Sequence, residues 1–353
     1  MAEVEAAIAR VLASGWYVMG PEHNALEAEL SSYLGVLDTV LVANGTDALE
    51  LALAAVGVTQ GSVVLTVANA GGYATIASRL LGAIPLYCDV DPASLLMTVS
   101  GVEKALASAA VKPTAIVVTH LFGSMAPVAE IVAVAKSHGI AVVEDCAQSL
   151  GARADGRQSG SFGDIATTSF YPTKNLGALG DGGAVFTNNH ELAESVRRMR
   201  QYGWSSKYHI SYDRGRNSRM DEMQAAILRV KLPHLDSWNE RRRQIHARYE
   251  EVAPRLMLGT ASPSFTAHLA VLRSDDRDTA RSVLKAAGIG TDVHYPVPDH
   301  EQQFPTAAIA GVSLPVTEHA AGRVFSVPMF PDLTDAEVET VAAAIGALEE
   351  SDD

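Results

Sequence analysis

What most constrains this chain is an alternation. Through its first two-thirds, short apolar runs with strand character alternate with amphipathic segments of about ten residues. Residues 39–42, 62–67, 84–88, 115–119 and 141–143 read as strands, with 165–170 and 184–187 as further short ones. Residues 24–34, 47–55, 73–81, 102–109 and 128–138 read as the helices between them, the last stopped by Gly139. Strands that are apolar throughout have no face for water, so they predict a mostly parallel sheet covered by helices on both sides.

In such sheets ligands collect beyond the carboxyl ends of the strands. The polar groups Asn44-Gly45-Thr46, His120, Asp145 and Ser169 all fall at predicted strand ends. From about Pro233 the pattern changes to a long charged helix over 235–249, containing Arg241-Arg242-Arg243. A strand near 268–272 and helices near 278–287 and 335–348 follow. At 353 residues the chain suits one large and one smaller domain, here 1–234 and 235–353, with the N-terminal helix packing against the smaller one.

Composition narrows the partners. A formal net charge of −14 without a long Lys/Arg run disfavours nucleic acid and anionic membranes. It leaves room for one phosphate held by backbone amides. Cys88 and Cys146 lie in apolar runs and read as free thiols of a reducing compartment. The opening residues form an amphipathic, acidic helix unlike a secretory signal, and no segment reads as a membrane span. The expectation is a cytoplasmic protein. The eleven histidines show no metal-binding spacing such as HExxH, so no metal is expected.

The densest chemistry lies in Ser169-Phe170-Tyr171-Pro172-Thr173-Lys174-Asn175-Leu176-Gly177 and the following Gly180-Asp181-Gly182-Gly183-Ala184. Most lysines sit on solvated faces. One in a Gly-rich turn between apolar strands is either a Schiff-base lysine, freed by desolvation and local cations, or a cation capping nearby carbonyls. In Val142-Val143-Glu144-Asp145-Cys146-Ala147-Gln148 a buried strand ends on a carboxylate. Asp145 either caps the next helix or partners a protonated pyridine nitrogen, as an electron-sink cofactor requires. Asn44-Gly45-Thr46-Asp47 opens a helix, where free N–H groups and the dipole favour a phosphate. A plain helix cap is the other reading. Ser169 is placed to add a second hydroxyl.

These segments resemble the sugar aminotransferases of the DegT/DnrJ/EryC1/StrS family, which have the aspartate aminotransferase fold (PLP fold type I). The resemblance runs through Trp16 to Pro21, Gly45 to Leu49, His120 to Gly123, Glu144 to Gln148, Ser169 to Lys174 and Gly180 to Ala184. It continues through Asn217 to Met220, Gln224 to Leu228, His294-Tyr295-Pro296 and Pro298, in family order over almost the whole chain. It implies an α/β large domain with a mostly parallel, seven-stranded type of sheet and a smaller C-terminal α+β domain. It also implies pyridoxal 5′-phosphate (PLP) as cofactor.

By the same resemblance Lys174 is the aldimine lysine and proton-shift base, Asp145 partners the pyridine nitrogen, and Gln148 lies near the ring and its hydroxyl. Gly45, Thr46 and Ser169 hold the phosphate, with Asn44 beside them where relatives usually have Ser. Asn217 reaches the phosphate from a second subunit, which implies a homodimer with shared active sites. Tyr73 is the candidate for stacking on the ring, in a stretch (Ala68 to Tyr73) that departs from the family pattern. His294, Tyr295, Arg219 and His120 are candidates for the substrate side, although a surface loop, a dimer brace and a core histidine describe them equally. The implied reaction is transfer of an amino group from an amino acid, L-glutamate foremost, to a nucleotide-linked keto sugar. Transfer to a keto-cyclitol and a PLP-dependent sugar dehydratase are the alternatives. The dehydratases carry His where Lys174 stands. A nicotinamide reductase lacks its GxGxxG here.

Overall fold

The computed structural model describes residues 2–303 and 312–351. Seven strands form the central sheet: β1 Asp38–Val42, β2 Val63–Thr66, β3 Ile84–Tyr87, β4 Ala115–Thr119, β5 Ala141–Asp145, β6 Ile165–Ser169 and β7 Gly183–Thr187. Their order is β1-β7-β6-β5-β4-β2-β3. Pairing is parallel from β3 to β6, while β7 runs antiparallel to both of its neighbours.

Strand periodicity sorts the core. Val117, Val143 and Val185 face one side, packed with Ala48 and Leu51 of α3 (Gly45–Ala55) and Ala77 of α4 (Tyr73–Leu80). Ile116, Val118 and Val142 face the other side, with Val102 and Ile131 from the helices Val99–Ser108 and Val128–Ser137. Each such side chain contributes about 1.5–3 kcal/mol by leaving water, so the sheet cannot slip by one residue without exposing a whole set.

The C-terminal third gathers a separate apolar cluster. Ile245 and Tyr249 of the helix Leu235–Val252 pack with Phe325 and Leu272 of the antiparallel pair Ala270–Arg273 and Val324–Val327, and with Ile345 of Asp335–Ser351. The N-terminal helix α1 (Ala2–Ser14) does not join it, contrary to the sequence expectation. Ala7 and Val11 pack on Ala226 of the helix Glu222–Lys231 instead. That helix and His190–Met199 were not read from the sequence. Cys88 and Cys146 are both free and buried. Among the described residues no helix is long and apolar enough to cross a membrane.

Candidate active site

At the carboxyl end of the sheet lies a cavity of about 680 Å³. Asn44, Gly45, Thr46, Tyr73, Asp145, Ser169, Lys174, His294 and Tyr295 line it, so the structure brings together nine residues singled out in the sequence. His268, Asp181 and Asp292 line it too and were given no role there.

The sheet side is built from strand ends. Asp145 ends β5 and is buried; its Oδ1 accepts from the Ala147 amide at 3.1 Å and its Oδ2 from Thr119 Oγ1 at 3.4 Å. Burial pushes its carboxyl up, against the pull of the Ala147 amide and the Lys174 charge. Glu144, one residue earlier, points to the opposite face, as strand alternation requires. Its two oxygens accept from Phe162 and Gly163 amides at 2.7 Å each, from Gly160 at 2.9 Å and from His120 Nε2 at 3.1 Å. His120 is therefore not brought to the cavity: its Nδ1 takes the Ala126 amide at 3.1 Å, and both ring nitrogens are committed to the scaffold. Cys146 completes this buried group, but the Glu144 oxygens are already fully engaged.

The loop between β6 and β7, residues 170–182, opens with a tight turn. The Lys174 amide donates to the Tyr171 carbonyl at 2.8 Å, and Phe170 is tied to Gly182 and Ala178 at 2.8 Å. Gly177 is needed there, since a Cβ would come within 2.5 Å of the Pro172 carbonyl oxygen. Burial pushes the Lys174 amine down from the ordinary lysine range, with Asp145 opposing.

The start of α3 faces the same space. Asn44 Oδ1 caps it by accepting from the Asp47 amide at 2.8 Å, so the Asn44 side chain acts as a helix cap here. The Gly45 and Thr46 amides have no intrahelical acceptor. A Cβ on Gly45 would lie 2.7 Å from Ser169 Cβ, so only glycine lets α3 approach the end of β6 this closely. The Ser169 hydroxyl accepts from the Tyr171 amide at 3.2 Å.

The opposite wall comes from the C-terminal third. Tyr295 packs edge-on against Tyr73, ring centroids 6.4 Å apart, and takes a hydrogen bond from Gln148 Nε2 at 3.1 Å. Gln148 Oε1 accepts from the Phe122 amide at 2.6 Å, so Gln148 stands behind Tyr295 and not in the cavity lining. His294 Nδ1 meets Ser326 Oγ at 3.1 Å; burial lowers its pKa while Asp292 raises it. Two further candidates lie elsewhere. Asn217 is exposed, with its backbone bridged to Gln201, and the Arg219 guanidinium sits 5.6 Å from the Tyr202 ring centre.

The fold finds close relatives among solved structures. DesV of S. venezuelae, in complex with a ketimine intermediate, superposes with a TM-score of 0.92 at 40% identity, covering 99% of this chain and 95% of that one. An aminotransferase from Brucella abortus also gives 0.92, at 35% identity and 98% and 95% coverage. The class is thus an α/β aminotransferase fold with its cavity at the strand ends. Residues 1–346 match the DegT/DnrJ/EryC1/StrS aminotransferase family, and the chain belongs to that family. Among its relatives, the erythromycin biosynthesis sensory transduction protein EryC1 of Saccharopolyspora erythraea is 42% identical (98% of this chain, 95% of the relative). The UDP-N-acetyl-3-dehydro-alpha-D-glucosamine 3-aminotransferase of Acidithiobacillus ferrooxidans is 39% identical (97% and 93%). The dTDP-3-amino-3,4,6-trideoxy-alpha-D-glucose transaminase of Micromonospora megalomicea subsp. nigra is 38% identical (98% and 96%).

Proposed function

We propose that this chain is a PLP-dependent aminotransferase that moves an amino group from an amino acid, L-glutamate foremost, to the 3-keto group of a nucleotide-linked sugar. The observation that carries it is the convergence of the Lys174 amine, the Asp145 carboxylate and the start of α3 on one cavity. The cavity fits the cofactor on its own chemistry. A buried carboxylate short of strong partners suits a protonated ring nitrogen, and the Gly45–Thr46 amides with two hydroxyls suit a phosphate. Carbon 3 is favoured because the relatives from Acidithiobacillus and Micromonospora are named for that position.

In this reading PLP, when bound, supplies the electron sink for the carbanion left when the donor loses its Cα proton. Asp145 would hold the proton on the pyridine nitrogen. Thr46, Ser169 and the α3 amides would hold the phosphate, with Asn44 organising the turn, and Tyr73 would cover the ring. Lys174 would anchor the cofactor and then carry the proton from the donor Cα, a task suited to an amine that burial has made less basic. Gln148 would act through Tyr295, and His294 and Tyr295 would face the sugar. We read 1–234 as the cofactor-binding domain and 235–353 as a smaller domain closing over it, supported by the separate C-terminal core. Asn217, exposed on its own chain, would complete the phosphate site of a partner subunit in a homodimer.

The test is the absorbance of the PLP-reconstituted protein before and after L-glutamate, in wild type and Lys174→Ala. The long-wavelength cofactor band is expected to bleach in wild type only. Failure to take up PLP would remove the proposal. Bound PLP indifferent to every amino donor would point to the dehydratase or to a regulator.

A further inference from the structure

One polar side chain of the cavity has a nitrogen to spare. His268 lies just before the strand Ala270–Arg273, is 6% exposed, and lines the same cavity as Lys174. Its Nδ1 sits 2.7 Å from Asn175 Oδ1. The orientation of Asn175 is fixed from its other end: its amide nitrogen faces the Thr266 carbonyl at 3.1 Å and Asn239 Oδ1 at 2.7 Å. A backbone carbonyl only accepts, so that end is the NH2 and Oδ1 is the acceptor. Asn239 is set likewise by donating to the Leu150 carbonyl at 3.0 Å. The proton of a neutral His268 therefore resides on Nδ1, and Nε2 is a bare lone pair. No hydrogen bond reaches Nε2 among the described residues.

The surroundings disfavour a charge on this ring. Arg242 donates to the His268 carbonyl at 3.2 Å, and Lys174 and His294 share the cavity. Burial first, then the charges of Lys174, Arg242 and His294, holds the imidazole well below its ordinary range. The acidic side chains facing the same space are Asp145, Asp181 and Asp292, with Tyr73, Tyr171 and Tyr295 as phenols. The Lys174 amine has no hydrogen-bond acceptor of its own among the described residues. An unpaired donor and an unpaired acceptor thus line one cavity. Asn175, which fixes the histidine, is the residue after Lys174.

We propose that His268 is a positioning residue for Lys174: the two are not hydrogen-bonded in the conformation seen here, and a turn of the free ε-amine towards the bare Nε2 makes that bond, with Asn175 fixing the tautomer that keeps Nε2 bare. The proposal rests on the aminotransferase reading for the amine's having a free state in the cycle. An amine that donates one N–H to a fixed acceptor keeps its lone pair aimed, and an acceptor that stays neutral does not compete for the proton.

The apoprotein tests this without substrate. Acetylation of Lys174 by acetic anhydride is followed against pH by peptide mass spectrometry, with exposed Lys104 as the internal reference. His268→Gln retains an acceptor oxygen and is expected to track wild type. His268→Phe is expected to lower the apparent Lys174 pKa by about one unit, the scale of one hydrogen bond to a charged group. Asn175→Ala keeps the imidazole but releases its tautomer, and is expected to shift Lys174 in the same direction. A shift in His268→Phe without one in Asn175→Ala would assign the effect to burial and overturn the proposal. So would three variants that behave alike. Nitrogen NMR of histidine-labelled wild-type apoprotein gives an independent reading, with protonated Nδ1 and bare Nε2 expected above about pH 7, where the ring is neutral; a proton on Nε2 there also overturns it. PLP uptake by each variant checks folding. If wild type takes up no PLP the aminotransferase reading fails, whereas the titration speaks to His268 alone.

Discussion

Along the sheet side of the cavity, Asp145, Ser169 and the Gly45 turn end strands or begin a helix of one hydrogen-bonded framework. Along the facing side, His268, Asp292, His294 and Tyr295 stand on chain segments of the C-terminal third, steadied by side-chain contacts to Asn175, Ser326 and Gln148. The first wall carries groups suited to a cofactor common to many reactions. The second, apart from His268, carries groups suited to telling one substrate from another. Strand ends and a helix start hold the former; the latter rests on those side-chain contacts together with backbone bonds of Asp292 to Ser326 and of His268 to Phe122, so substitutions on the two walls should fail in different ways.

The sharpest contrast is Asp145→Ala. It is expected to lower kcat by about 10²–10⁴-fold, on the scale of a lost proton-holding group, while the melting temperature stays near wild type; steady-state rates beside calorimetry check both. Equal loss of stability and activity would put Asp145 with the scaffold. His120→Ala should behave in the opposite way. It removes one hydrogen-bond donor of buried Glu144 and is expected to cost about 1–3 kcal/mol in denaturant unfolding, with kcat of the folded fraction within a few-fold of wild type. A catalytic defect without destabilisation would return His120 to the active site.

Gly45→Ala tests how closely the first wall is packed. Its Cβ would meet Ser169 Cβ at 2.7 Å, so either α3 or β6 must shift. The expected cost is about 1–3 kcal/mol, read as weaker PLP binding in a titration; unchanged affinity would mean the phosphate sits elsewhere.

The smallest expected effect lies behind the second wall, at Asp299. This buried carboxyl accepts from Thr75 Oγ1 at 2.5 Å, and burial raises its pKa to about 6. A raised carboxylate pKa means that the folded state holds a proton the unfolded chain releases near its ordinary range. Stability is therefore lost as pH rises from about 4 to about 6, and stays lost above. Asp299→Asn is expected to gain about 1 kcal/mol at pH 8 and nothing at pH 4; an equal change at both would show that the carboxyl does not titrate in that window.

The sequence was legible where function rides on local structure. A strand, a polar end and a turn lie within a few consecutive residues, so the pattern singles out Asp145, Ser169, Lys174 and the Gly45 turn, while the roles expected of them come from the family resemblance. His120 misled because it also ends a strand. Which way its ring turns depends on Glu144, a neighbour only through the register of β4 and β5. His268 left no trace at all. One histidine ahead of an apolar strand is unremarkable until folding brings Asn175, 93 residues earlier, to its ring. Unpaired valence, not burial, separates these two histidines, and valence is read only from contacts.

The contact between Gly71 and Tyr295 has a consequence for how such enzymes diversify. A Cβ at Gly71 would come within 2.9 Å of the Tyr295 ring, and Asp299 in the same loop reaches Thr75 of α4. The two segments therefore pack as one unit. A laboratory chimera that imports the 291–300 loop of a relative, seeking a new sugar, should import the 69–75 turn with it, so that the residue at 71 clears the ring at 295 and the acid at 299 keeps its hydroxyl partner at 75.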